Sequence, residues 1–161
     1  ASPHALVAAQ LVGLKNSSGD ATAYWSIQVT ALGAITMTSN AGVIATANGV
    51  IAITPSSSWY HIAVTKTGGS TYLYVNGVYR TSGSLLFYNI TNELRIGGTA
   101  SGVELFPGFI DDLRISKGNA IWSGTGSFTP PAPSVARSSI TDNTVNLDQY
   151  SYWYRVKAVR G

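Results

Sequence analysis

The sequence predicts an all-β protein, an antiparallel β-sandwich jelly roll, on three observations. Between Trp59 and Ser116 four strand-like runs follow one another, each bounded by Gly, Ser, Thr or Asn. Asn-Gly pairs at 48–49 and 76–77 supply residues that accept positive φ, as tight hairpins require. Charged residues make up only 11% while Gly numbers 17, a balance that suits a tightly turned sheet protein and excludes a disordered chain. A length of 161 residues fits one domain with its own core.

Taken in order, residues 5–15 hold one strand, with Leu11 and Leu14 as core candidates, and residues 16–20 form a turn by composition. Residues 24–29 alternate, placing Trp25, Ile27 and Val29 on one face. Strands are expected at 32–38 and 43–47, with a turn at 40–42 between them. A hairpin through Asn48-Gly49 should bring 50–54 back to pair, and Pro55 with three serines forms the loop into Trp59.

Residues 59–65 are the next strand. The hairpin at Asn76-Gly77 places Val75 opposite Val78, Tyr74 opposite Tyr79, Leu73 opposite Arg80 and Tyr72 opposite Thr81. Tyr72, Tyr74 and Tyr79 then share one face, and Leu73, Val75 and Val78 the other. One face packs on the partner sheet; the second is covered or binds something. Residues 94–98 form a short strand. In 109–116, Phe109, Asp111, Leu113 and Ile115 share a face, so Asp111 should be buried with backbone N–H partners, because an unpaired buried carboxylate is costly. Asp112 and Arg114, two apart, are expected as an exposed ion pair. No helix is expected beyond one loose turn at 118–123.

After Ser127 the segment Phe128-Thr129-Pro130-Pro131-Ala132-Pro133 is stiff and cannot enter a central strand. The expected organisation is a jelly-roll domain at 1–131 followed by a Pro-rich exit and C-terminal strand extension at 132–161. Residues 142–143 read as a turn. Tyr150, Tyr152, Tyr154 and Val156 align on one face of the last strand. A lone strand is unstable, so this one must rejoin the sandwich, pair with another chain or begin a further domain.

Composition excludes several functions. The chain has no cysteine, which removes disulfides, thiolate metal sites and thiol nucleophiles. Net charge is +3 with basic residues scattered, short of the dense patch that nucleic acid demands. No apolar run is long enough for a membrane-spanning helix, so no membrane insertion is expected. The chain opens without a basic leader or an initiator Met, and reads as processed or as part of a longer polypeptide.

The runs Trp59-Tyr60-His61-Ile62-Ala63-Val64-Thr65, Tyr74-Val75-Asn76-Gly77, Leu94-Arg95-Ile96-Gly97-Gly98 and Phe106 to Ser116 carry a resemblance through their order and spacing. Over about residues 10–131 the chain resembles the laminin G-like domains of the concanavalin A-like lectin/glucanase superfamily. The ending Phe128-Thr129-Pro130-Pro131 is similar to the exit from such domains in bacteriophage tail and other virion proteins. The resemblance implies a two-sheet jelly roll and a binding or architectural module, often for glycans and sometimes with calcium. The chain departs from the family in lacking an opening strand of the type Phe-Thr-x-Glu-x-Trp. That strand lies before residue 1, or the C-terminal strand fills its place. No calcium loop is evident, and no cofactor is expected.

The chemistry-bearing residues point away from catalysis. Glycoside hydrolysis needs two carboxyl groups facing one bond. Glu93 and Glu104 are the only glutamates and stand in no such pattern, and Asp111 and Asp112, adjacent on a strand, would face opposite ways. His4 and His61 lack Ser or Asp partners, and His61 reads as a histidine at the sheet surface bonded to a neighbour. Asp20, Glu104, Asp111, Asp112 and Asp142 form no ligand loop, so no metal site is expected. The candidate binding platform is Tyr72, Tyr74 and Tyr79, since aromatic rings stack on sugar C–H faces while their hydroxyls hydrogen-bond. Tyr150, Tyr152, Trp153 and Tyr154 are the candidate assembly contact. The expected protein is a non-enzymatic virion or tail-appendage module on an extracellular surface, homo-oligomeric with other subunits and binding cell-surface glycans. Two alternatives stand beside it: an architectural capsid or fibre protein whose last strand locks neighbouring subunits, and a secreted bacterial glycan-binding module.

Overall fold

A computed structural model describes residues 8–14, 24–40, 42–51, 58–85, 93–99, 101–116 and 118–132 and the backbone of 154–157. Among the described residues ten strands build two five-stranded sheets. Sheet A contains β1 (Ala9–Gly13), β2 (Trp25–Val29), β3 (Ile35–Ser39), β4 (Gly42–Ala45) and β8 (Arg95–Ile96), in the order β4-β3-β2-β1-β8. Sheet B contains β5 (Tyr60–Thr67), β6 (Ser70–Val75), β7 (Val78–Gly83), β9 (Phe109–Asp111) and β10 (Tyr154–Lys157), in the order β7-β6-β5-β10-β9. Every pairing is antiparallel, and the described residues contain no helix.

The core lies between the sheets. Leu11, Val12, Ile27, Val29, Ile35, Met37 and Ile44 come from sheet A, and Ile62, Leu73 and Val75 from sheet B. Each such side chain, taken fully out of water, stabilises the fold by about 1.5–3 kcal/mol before the entropy of ordering it is subtracted. The alternation of 25–29 holds: Ile27 and Val29 are buried, and Trp25 packs against them half-buried. A bulge at Leu11 lets both Leu11 and Val12 reach the core. Leu14, one residue past β1, is only half-buried. At the sandwich side where β4 meets β7, Gly83 is required: a Cβ there would collide with the Cγ2 of Ile44.

Four sequence expectations change. Leu32 lies in a turn, not in a strand, and is exposed, because Gly33 at φ 71° delays β3 to Ile35. Gly49 takes the expected positive φ, but Val50 and Ile51, the described part of the returning segment, do not pair with β4, and 52–54 lie outside the described residues. The N–H groups of Gly49 and Ile51 instead donate to the carbonyls of Leu32 and Gly33. β9 stops after three residues, where Asp112 takes φ 54°. Within it Ile110 faces the core while Phe109 and Asp111 face out, so Asp111 is exposed rather than buried; its Oδ1 still accepts the Asp112 N–H at 2.8 Å. Arg114 Nε and Asp112 Oδ1 do pair, at 3.2 Å.

The turn at 76–77 forms as read, with Asn76 at φ 52° and Gly77 at φ 74°. Val75 pairs with Val78 and Tyr74 with Tyr79; a bulge at Arg80 then shifts Leu73 to Thr81 and Tyr72 to Ser82. The backbone of the C-terminal extension rejoins the sandwich. Tyr154 pairs with Ile62 on one edge of β10, and Arg155 with Asp111 on the other. β9 is thereby joined to its sheet through β10. The expected turns at 16–20 and 142–143 and the loop from Pro55 to Ser57 lie outside the described residues.

Candidate functional site

The outer face of sheet B carries the residues singled out for chemistry. Alternation along β5 and β6 turns Ile62, Leu73 and Val75 inward and His61, Ala63, Thr65, Tyr72 and Tyr74 outward. This outer face divides into a covered half and a bare half.

The segment 118–132 covers the half next to the Asn76-Gly77 turn. Its Trp122 and Phe128 rings stack at 3.7 Å with an interplanar angle of 4°. His61 meets both edge-on with centroids 5.8 Å away, and Tyr74 meets Phe128 at 5.2 Å. The Tyr74 hydroxyl donates to the Gly124 carbonyl at 2.7 Å. The cover is fastened to the hairpin by the Phe128 N–H, which donates to the Gly77 carbonyl at 2.8 Å. A Cβ on Gly77 would collide with the Phe128 carbonyl oxygen, so glycine serves both the turn and the seating of the cover. Asn76 braces the same spot: its N–H donates to the His61 carbonyl, and its Oδ1 accepts the His61 N–H at 2.9 Å.

Tyr74 is therefore 0% exposed. Burial pushes its hydroxyl above the ordinary tyrosine value. Tyr74 drops out of the expected three-tyrosine platform, because a ring with no accessible face cannot stack on a ligand. His61 is likewise buried under the Trp122–Phe128 stack rather than lying at the sheet surface.

The bare half holds Tyr72 and Tyr79, both half-buried and both on the outer face. The bulge at Arg80 sets Ser82 opposite Tyr72, and the Tyr79 hydroxyl stands 3.0 Å from Ser82 Oγ. The Tyr79 and Ser82 hydroxyls thus lie together, with Tyr72 paired across the ladder from Ser82 on the same face. The arrangement offers apolar faces for stacking and polar tips for hydrogen bonding.

A second polar constellation lies on the outer face of sheet A, and sequence reading missed it. Gln10 Nε2 donates to the Gly98 carbonyl at 2.7 Å, and Ser26 Oγ donates to Gln10 Oε1 at 2.9 Å. Gln28 Nε2 donates to Glu104 Oε2 at 2.7 Å, while the Gln10 N–H donates to the Glu104 carbonyl. Glu104 adopts φ 54°, a strained conformation for a glutamate, held by bonds to its backbone and its carboxylate. This network fixes 101–105 over the sheet. Its signal was present as polar residues alternating with Ile27 and Val29, but the partner loop is distant in sequence.

Among the described residues the carboxylates do not converge. Glu93 pairs with Arg95, and Glu104 is engaged by Gln28. Among the described residues no three of His, Cys, Asp and Glu group as a metal site. Asp20 and Asp142 lie outside the described residues, as do Tyr150, Tyr152 and Trp153 of the candidate assembly contact. The backbone of Tyr154 stands within the chain's own sheet, between β5 and β9. A strand bonded on both edges has no free edge to lend to a neighbouring subunit.

Two antiparallel sheets packed over one aliphatic core define a β-sandwich. Residues 3–120 match the laminin G-like family of the concanavalin A-like lectin/glucanases superfamily, and the chain belongs to that superfamily. No curated protein and no solved structure matches the chain. Membership of a superfamily of lectins and glucanases is consistent with carbohydrate binding.

Proposed function

We propose that the chain is a non-catalytic glycan-binding module. The observation that carries this reading is the bare Tyr72–Tyr79 pair beside Ser82 on the outer face of sheet B, in a fold of the lectin/glucanase superfamily. A sugar ring laid on these tyrosines would stack its C–H face on aromatic carbon, and its hydroxyls would meet the phenol and serine oxygens. Absence of hydrolysis is supported by the separate engagement of Glu93 and Glu104, since glycoside cleavage needs two free carboxyl groups across one bond.

The setting we infer is attachment at an extracellular surface, as part of a virion or tail appendage. It rests on the likeness of the Phe128 to Pro131 exit to those of phage tail domains. A platform of two tyrosines binds weakly by itself and gains through repetition on an oligomer.

A glycan array probed with the wild-type chain and with the Tyr72→Ala/Tyr79→Ala variant tests the reading. Binding to a defined set of glycans by the wild type, lost in a variant that keeps the folded circular dichroism spectrum, is the expected result. Equal binding by both proteins, or hydrolysis of any bound glycan, would overturn it.

A further inference from the structure

The sequence holds two Asn-Gly pairs, at 48–49 and 76–77, and the fold holds them in opposite ways. Asparagine is a thermolabile residue, most of all before glycine, which lacks a Cβ and so lets its own nitrogen approach the asparagine side chain. The reaction needs a nucleophile, the glycine nitrogen, and an electrophile, the asparagine Cγ. At 48–49 the nucleophile is occupied. The Gly49 N–H donates to the Leu32 carbonyl at 2.7 Å, and this bond must break before the nitrogen can attack. The Asn48 side chain is exposed, and among the described residues no donor polarises its carbonyl.

At 76–77 the positions are exchanged. Among the described residues the Gly77 N–H meets no acceptor, because the ladder resumes only with the Val75–Val78 pair. The electrophile is engaged instead. Asn76 Oδ1 accepts the His61 N–H at 2.9 Å. That backbone donor stands where negative charge gathers when a nucleophile adds to Cγ, the geometry by which N–H groups stabilise an oxyanion. The same donor fixes which side-chain atom is the oxygen, leaving Nδ2 as the group that can depart. Asn76 is exposed, so water reaches it.

We infer that Asn76-Gly77 is a site of self-modification that releases the cover over Tyr74. The Gly77 nitrogen gives its proton to solvent base and attacks Asn76 Cγ. A C–N bond forms, charge gathers on Oδ1, and the Cγ–Nδ2 bond breaks as Nδ2 takes a proton from water and leaves as ammonia. Water then adds to one of the two carbonyls of the cyclic imide and opens it to aspartate or isoaspartate; water is the one co-reactant. Aspartate keeps an oxygen for the His61 N–H. Isoaspartate routes the main chain through the side chain and adds a methylene to a two-residue turn, which then cannot keep the Val75–Val78 register. The Gly77 carbonyl is carried away from the Phe128 N–H, and the cover loses its tether. Ageing thereby turns the covered half of sheet B into bare surface. The inference does not depend on what that surface binds.

Ageing the purified chain in mildly alkaline buffer, with peptide mass spectrometry at intervals, reads the reaction at both pairs. Each rate is referred to that of the same pair in strong denaturant. On that scale Asn76 is expected to convert about tenfold faster than Asn48 in the folded chain, the factor that one retained hydrogen bond supplies. Aged molecules carrying isoaspartate at position 76, separated by their added negative charge, should have Tyr74 open to nitration. Asn76→Asp, which keeps the turn, should leave Tyr74 protected. Conversion at Asn48 as fast as at Asn76 in the folded chain, or none at either pair while the denatured chain converts, would overturn the inference. So would isoaspartate at position 76 with Tyr74 still protected.

Discussion

Tyr74 and Tyr79 stand opposite each other across one β-ladder, on the same face of one sheet and with their rings edge-on at 6.1 Å, yet only Tyr74 lies under a cover. Tyr74 lies under Trp122, Gly124 and Phe128, with its hydroxyl engaged and its ring buried. Tyr79, and Tyr72 diagonally beyond, lie past the margin of that cover and keep part of their surface in water. What separates the halves is the 118–132 segment, fastened at Gly77. The covered half behaves as a second small core on the outside of the sheet. The bare half is where an aromatic surface remains for a ligand. The same residue type thus serves stability in one place and recognition a few ångströms away, and substitutions should tell the two roles apart.

The largest effect is expected at Tyr74→Ala. Removing a buried aromatic ring leaves a cavity between the sheet and the Phe128 ring and should cost about 3–5 kcal/mol in chemical denaturation. Gly77→Ala comes next. The left-handed φ alone costs about 1–3 kcal/mol, and the new Cβ also displaces Phe128, so the Trp122 fluorescence should shift toward that of a solvated indole as the cover lifts.

Tyr74→Phe keeps the ring and leaves the Gly124 carbonyl without its donor, a loss of about 1–2 kcal/mol. This variant also carries a pH test. Burial raises the folded-state value of Tyr74 above the ordinary value of 10.0. The unfolded chain releases this proton first, so the contribution of Tyr74 is fully present below about pH 10 and is lost as pH rises through the folded value. The gap in melting temperature between wild type and Tyr74→Phe should narrow above pH 10. A gap that stays constant would mean the hydroxyl is not sequestered. The smallest effect on stability, under about 1 kcal/mol, is expected for Tyr72→Ala and Tyr79→Ala, which lie outside the cover.

Much of the fold was legible because local signals agreed with it. The alternation of 25–29, the Asn76-Gly77 turn and the apolar positions of β6 all give the observed faces. Register beyond Tyr74 was not legible, since the bulge at Arg80 has no signature in composition. The burial of Tyr74 and His61 was not legible either. It depends on Trp122 and Phe128, distant residues in a segment without regular structure. Asp111 was misplaced because a strand was extended past Asp112, whose left-handed backbone ends it. The Gln28–Glu104 bond joins positions 76 residues apart, which no local pattern reports.

The division into a covered and a bare half is tested most directly by tyrosine nitration with peptide mass spectrometry, performed with and without the strongest glycan from the array. The expected result is labelling of Tyr72 and Tyr79, protection of Tyr74, and loss of labelling at the first two when glycan is bound. Labelling of Tyr74 in the folded protein, or labelling of Tyr72 and Tyr79 that bound glycan leaves unchanged, would contradict the account.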